Sequence, residues 1–163
     1  MNYIKHTLLE NEQIVYYTGP HWIIFSPALI SLALLMLFVL FGDFIIPSAI
    51  FGFNVLAFLD AGIFILTLVQ FLIGYLRYKT SEYGITNQRI IIKVGFIRRN
   101  TLEVLLKRVE SIQVNQSIPG RLLNYGSVTI RGTGGSRDTF NFVPSPLDFR
   151  RMAQQEIAQS QAL

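Results

Sequence analysis

Trp22-Ile23-Ile24-Phe25-Ser26-Pro27-Ala28-Leu29-Ile30-Ser31-Leu32-Ala33-Leu34-Leu35-Met36-Leu37-Phe38-Val39-Leu40-Phe41 is a run of twenty residues without a charge. At about 1.5 Å rise per residue it makes a helix about 30 Å long, the thickness of a bilayer hydrocarbon core. Pro27 falls near its start, where a missing N–H matters least. A second stretch, Val55 to Leu76, is interrupted only by Asp60, which sits about a turn and a half inside its end, within reach of the polar interface or a partner helix. Between them, residues 42–54 combine glycines, a proline and an asparagine that break helix with aromatics that suit a membrane interface. The expectation is a transmembrane hairpin over 22–76, with spans at about 22–41 and 55–76.

The whole-chain figures agree. Of 163 residues, 51% are hydrophobic and only 15% charged, too apolar for an ordinary soluble domain. There is no cysteine and there are only two histidines, which removes disulfides, Cys-based zinc, iron–sulfur clusters and a Cys nucleophile. No cofactor is expected. A cleaved signal peptide is not expected either, because the apolar run starts late, is too long and lacks a basic leader.

Charge divides the chain in the opposite sense to hydrophobicity. Up to Leu76 one basic residue faces four acidic ones, net −3; from Arg77 onward thirteen basic residues face six acidic ones, net +7. Arg77 and Lys79 directly follow the second span, then come Arg89, Lys93, Arg98 and Arg99, while the connection between the spans has no basic residue. The positive-inside bias therefore places both termini in the cytoplasm, with 1–21 a cytoplasmic leading segment and His21 and Trp22 at the membrane interface.

From Tyr78 the periodicity changes to short alternating segments. Gln88–Val94 carries Ile90, Ile92 and Val94 on one face after a Thr86-Asn87 turn, where Asn tolerates positive φ. Strands follow over 97–105, over 109–115 and from Gly126, and Phe140 and Phe142 continue the alternation beyond a loop at 132–136. Residues 117–124 read as a single helical turn. Ser145, Pro146 and Asp148 mark a capped start for a last amphipathic helix built on Phe149, Met152, Ala153 and Ile157. Strands plus one C-terminal helix suit a strongly bent antiparallel sheet, or a small barrel plugged by that helix.

Tyr83-Gly84-Ile85-Thr86-Asn87-Gln88-Arg89-Ile90-Ile91, Val109-Glu110-Ser111-Ile112-Gln113-Val114-Asn115-Gln116-Ser117, Gly120-Arg121-Leu122-Leu123 and Asn124-Tyr125-Gly126-Ser127-Val128 closely resemble the bacterial pleckstrin-homology (PH)-like domain of small membrane proteins. Glu12, Gly19, Pro20, His21 and Trp22 extend the resemblance over nearly the whole chain. It implies an α+β membrane protein of the bacterial inner membrane: a two-helix transmembrane hairpin followed by a PH-like split β-barrel over 77–163, capped by a C-terminal helix. Most such proteins have no assigned activity.

Several residues invite a chemical role. Arg89 suits a phosphate or carboxylate ligand, or else a tie between strands. The 132–136 loop lacks the Gly-Lys-Ser/Thr of a phosphate cradle and reads as a hairpin tip. Asp60 has no second carboxylate beside it to share a proton, so aspartyl catalysis is not expected. Arg77, Lys79, Arg89, Lys93, Arg98 and Arg99 are the candidate lipid- or partner-binding residues, with Lys107 and Arg108 nearby; basic residues held near an anionic leaflet are worth about 1 kcal/mol each. The leading expectation is a non-enzymatic module that binds protein partners, as a homo-oligomer or accessory subunit of a membrane complex. The alternative is recognition of anionic lipid headgroups by the basic face. Nucleic acid is not an expected partner, because the basic residues are not interleaved with exposed aromatics.

Overall fold

A computed structural model describes residues 3–45, 53–95, 100–135 and 137–162. Two compact units emerge, one of residues 23–76 and one of 1–22 with 77–163. Arg98, Arg99, the start of the strand expected from residue 97 and most of the connection between the apolar stretches lie outside the described residues.

The unit of residues 23–76 is a pair of helices. After a 3-10 turn (Trp22–Phe25) comes α2 (Ser26–Ile45), and α3 (Phe53–Thr80) is the second long helix. Both are long and apolar enough to cross a membrane, and few of their side chains are buried. Most of their buried residues are small or polar, Leu56 being the large apolar one. Ala28, Ser31, Thr67 and Gly74 are buried, and Thr67 Oγ1 donates to Ser31 Oγ (3.0 Å), which reaches Gln70 Oε1 (3.1 Å). A Cβ on Gly74 would lie 3.1 Å from the Phe25 ring, so the glycine lets α3 approach residue 25 closely. A Cβ on Gly62, by contrast, would have nothing within 4 Å.

The other unit holds two antiparallel sheets. The first has the order β1 (Ile14–Thr18), β2 (Glu82–Thr86), β3 (Arg89–Val94), β4 (Asn100–Leu105); the second is β5 (Val109–Asn115), β6 (Tyr125–Gly132), β7 (Arg137–Pro144). They do not join into a closed barrel. The leading segment is not a separate stretch: it supplies a short helix, α1 (Tyr3–His6), and the edge strand β1, in register with β2 from Ile14↔Thr86 to Thr18↔Tyr83.

The core lies between the sheets and the last helix, α5 (Pro146–Ala162). Phe149 and Ala153 are fully buried against Ile85, Ile90, Ile92, Val128, Ile130 and Val143, with Met152 and Ile157 at the margin, so the helical spacing of three, four and eight read from the sequence is the buried face. Tyr16 of β1 meets the Phe149 ring edge-on at 5.9 Å. Tyr83 crosses from one sheet to the other, its hydroxyl donating to the Asn141 carbonyl (3.1 Å), and burial pushes its pKa up to about 12. At the start of α5 Pro146 is the first helical residue, but the Ser145 hydroxyl accepts from Asn124 Nδ2 (2.9 Å) instead of capping the helix. The short helix α4 (Ile118–Leu122) is the expected single turn, with Ser117 Oγ accepting from the Gly120 N–H (3.2 Å).

Candidate interaction surface

The outer face of β2 and β3 carries Glu82, Gly84 and Thr86 beside Arg89, Ile91 and Lys93, since alternate residues share a face. That face is covered by residues 3–12. Ile4 is fully buried, and a Cβ on Gly84 would come within 2.7 Å of Ile4 Cδ1, so with a larger residue there Ile4 would have to shift from its present place. It also explains why Ile91 is as buried as Ile90 and Ile92, where simple alternation would leave it wet. Glu82 accepts from the N–H groups of Tyr3 and Ile4 (both 3.2 Å), and Lys93 Nζ stands 4.3 Å from the centre of the Tyr3 ring.

At the far end of the cover the acidic side chain of Glu12 is wholly buried. Arg89 grips it from the side, Nε to Oε1 and Nη2 to Oε2, both at 2.9 Å. Nη1 donates to Glu103 (2.6 Å) and Nη2 also to the Thr7 carbonyl (2.7 Å). The Thr86 hydroxyl donates to Glu12 Oε1 (2.7 Å), and the Leu9 N–H donates to Oε2 (2.8 Å). Burial pushes the Glu12 carboxyl pKa up, but the hydrogen bonds from Arg89, Leu9 and Thr86 and the Arg89 charge outweigh it, and the net shift is downward. The Glu12 hydrogen bond is the main cause that moves Arg89 upward.

This arrangement decides what Arg89 is available for. A guanidinium has five N–H donors, and four of these bonds to Glu12, Glu103 and Thr7 leave little for a lipid phosphate. The tie between strands is the role that the geometry gives it. Asn87 differs from its expected role too. Its φ is not positive; its side chain instead accepts from the Gln13 N–H (3.0 Å) and donates to the Asn11 carbonyl (3.2 Å), clipping the leading segment to the β2–β3 turn.

The other candidates are dispersed. Arg77 and Lys79 are exposed in the last turn of α3, Lys93 is half-buried beneath Tyr3, and Lys107 and Arg108 are exposed in the turn before β5. The glycine loop is the tip of the β6–β7 hairpin, with Gly135 at φ +78°. Asp60 is half-exposed on α3, and its Oδ1 has no hydrogen-bond partner among the described residues.

His21 is the interfacial candidate that the structure elaborates. Its N–H donates to the Phe142 carbonyl (2.7 Å), and its ring stacks on Tyr125 with centroids 5.3 Å apart. Burial lowers its pKa, partly offset by a hydrogen bond to the Leu123 backbone. Phe142 has φ +61°, unusual for an aromatic residue, within a bulge that sets Asn141 and Phe142 opposite Ser127. Trp22 lies beside His21, ring centroids 5.4 Å apart, and is half exposed.

The sequence missed Glu12, Glu82 and Tyr3 as parts of this surface. The available signal was Ile14-Val15-Tyr16-Tyr17-Thr18, a β-branched and aromatic run closed by Gly19-Pro20, which marks a strand and brings the acid before it to the sheet.

Two antiparallel sheets plugged by a C-terminal helix, with polar side chains tied into internal bonds, define the class to which this unit belongs, a two-sheet α+β domain. The sequence matches the family described as bacterial PH domain over residues 27–156, and the chain belongs to that family. PH domains are in general non-catalytic binding modules. No curated protein matches the sequence.

Proposed function

We propose that this chain is a membrane-anchored, non-catalytic PH-like module on the cytoplasmic face of a bacterial inner membrane, with both termini cytoplasmic, and that it works by binding protein. The partner is another copy or the other subunits of a membrane complex. The observation that carries the reading is the pairing, in one chain of the bacterial PH domain family, of a two-sheet module with two uncovered helices long and apolar enough to cross a bilayer. The β4 strand adds support: among the described residues it pairs on one side only, an edge of the kind that another chain can extend. Native mass spectrometry of the full chain released in mild detergent tests the proposal. Defined oligomers or stoichiometric partners are the expected result, and a strictly monomeric protein without partners sinks it.

A second reading, binding of anionic headgroups by basic residues, draws on Arg77 and Lys79, exposed where α3 ends. It predicts that anionic lipids enriched with the purified full chain are lost, in a salt-dependent way, in Arg77→Glu with Lys79→Glu and in Arg98→Glu with Arg99→Glu. Unchanged lipid enrichment removes it.

A further inference from the structure

The turn at α4 is firmly built and yet presents apolar side chains to the outside. Ser117 caps it, and Gln116 Nε2 donates to the Tyr125 carbonyl (3.1 Å). A Cβ on Gly120 would meet the Tyr125 carbonyl oxygen at 2.7 Å, so glycine is required for the turn to sit this close to β6. From this fixed base Ile118 and Leu122, at the i, i+4 spacing that puts them on one face, project with 79% and 82% of their surface exposed; Leu123 is 41% exposed. A solvated turn has no reason to show isoleucine and two leucines together.

The position of the turn explains it. The last residue of this apolar cluster, Leu123, is bonded through its backbone to His21, whose ring lies on Tyr125 and whose N–H is held by Phe142. The next residue, Trp22, opens the apolar stretch Trp22–Gly42. His21, directly before Trp22, is thus held beside the turn, by Leu123 itself and by Tyr125 and Phe142 of the neighbouring strands.

We propose that the Ile118–Leu123 turn is a second membrane contact of this protein, lying in the headgroup–acyl boundary of the leaflet that Trp22 enters. This rests on the anchored reading above and adds to it a monotopic contact made by the PH-like domain itself. Its occupant is lipid. Tryptophan beside a cluster of leucine and isoleucine is the side-chain set that favours this depth, and Arg121, exposed within the same turn, complements anionic headgroups there. A protein partner fits less well, because a handful of side chains falls short of the roughly 1,000 Å² that a stable protein interface needs.

The absence of cysteine makes the test clean. Leu122→Cys in the full chain is labelled with an environment-sensitive fluorophore and reconstituted into vesicles of phosphatidylcholine and phosphatidylglycerol. Leu37→Cys, inside the first span, reports on anchoring, and Gln154→Cys, exposed on α5, is the aqueous reference. The label at 122 is expected to lose about half its emission to a lipid carrying a shallow nitroxide and to resist aqueous iodide, whereas the label at 154 responds to iodide alone. If 37 is quenched by lipid while 122 behaves like 154, the membrane contact of the turn is overturned and anchoring stands. If 37 is not quenched by lipid, anchoring falls and the contact with it. If 122 is shielded from both quenchers at many copies per vesicle and opens to iodide on dilution to single copies, another copy covers the turn and the proposal is overturned.

Discussion

In the helical hairpin most apolar side chains face outward: Ile30, Leu34, Met36, Leu40, Phe58 and Ile65 are all largely exposed, and beside Leu56 the buried residues include Ala28, Ser31, Thr67 and Gly74. In the sheet domain the order is reversed, with Ile85, Ile90, Val128, Ile130 and Phe149 inside. Both regions nevertheless bury polar groups, and both pair them between segments distant in sequence. The hairpin does so with neutral hydroxyl and amide groups, Ser31, Thr67 and Gln70; the domain uses ions, Glu12 with Arg89. The difference is the one that the proposed membrane anchoring predicts. In a hydrocarbon setting a charge is too costly to carry for packing, whereas a domain bathed in water can hold an ion pair at the edge of its core if every donor and acceptor is used.

The comparison breaks most severely if the domain is cut from its leading segment. A fragment of residues 77–163 loses β1, Ile4 and Glu12 together, and is expected to show no cooperative thermal transition. Residues 1–21 joined to 77–163 by a flexible linker are expected to restore one, measured by circular dichroism; equal behaviour of the two fragments contradicts the cover described here. Next in size is Arg89→Ala, which strands a buried carboxylate and should cost about 3–5 kcal/mol in urea unfolding. Replacing the pair with Arg89→Met and Glu12→Leu should cost less than Arg89→Ala alone, because no charge is then left unpaired.

Acid weakens the same contact. The Glu12 pKa is depressed in the folded chain, so the folded state holds its proton less tightly than the unfolded one. The stabilisation is full above the unfolded value of about 4.3 and is lost as pH falls through the lower folded value. The urea midpoint should therefore drop on acidification below about pH 4, and Glu12→Gln should flatten that part of the dependence. The smallest effect belongs to the hairpin. Thr67→Val removes a neutral hydrogen bond between helices and should cost only about 0.6 kcal/mol in a detergent unfolding assay. A loss as large as that of Arg89→Ala would erase the distinction between the two regions.

Much of this was legible in the chain. Apolar runs of bilayer length, one uncharged and one interrupted only by Asp60, betray the two helices, and the alternation at Ile112 and Val114 or at Val128 and Ile130 betrays strands, because both signals are local. The role of Glu12 was not legible. Its partners Thr86 and Arg89 stand beyond the entire hairpin, and one of two acids, Glu10 and Glu12, in a short polar stretch carries no periodic signature. The burial of Ile91 was hidden for the same reason, since it depends on Ile4 passing over Gly84. His21 drew notice from its place before Trp22, but its contact with Phe142 depends on a bulge there whose backbone no residue preference foretells.

The pairing of β1 with β2 has a consequence for how the protein is made. Thr18 and Tyr83 are neighbours in register, so the whole hairpin is an insertion between two adjacent strands of one domain. On the ribosome, β1 and Glu12 emerge first and have nothing to pair with until both apolar helices and then β2 and β3 have been synthesised, a wait of several seconds at about 5–20 residues per second. The domain therefore completes only after the helices have left the exit tunnel. Closing the sheet is thereby a late step, one that cannot precede synthesis of the whole hairpin.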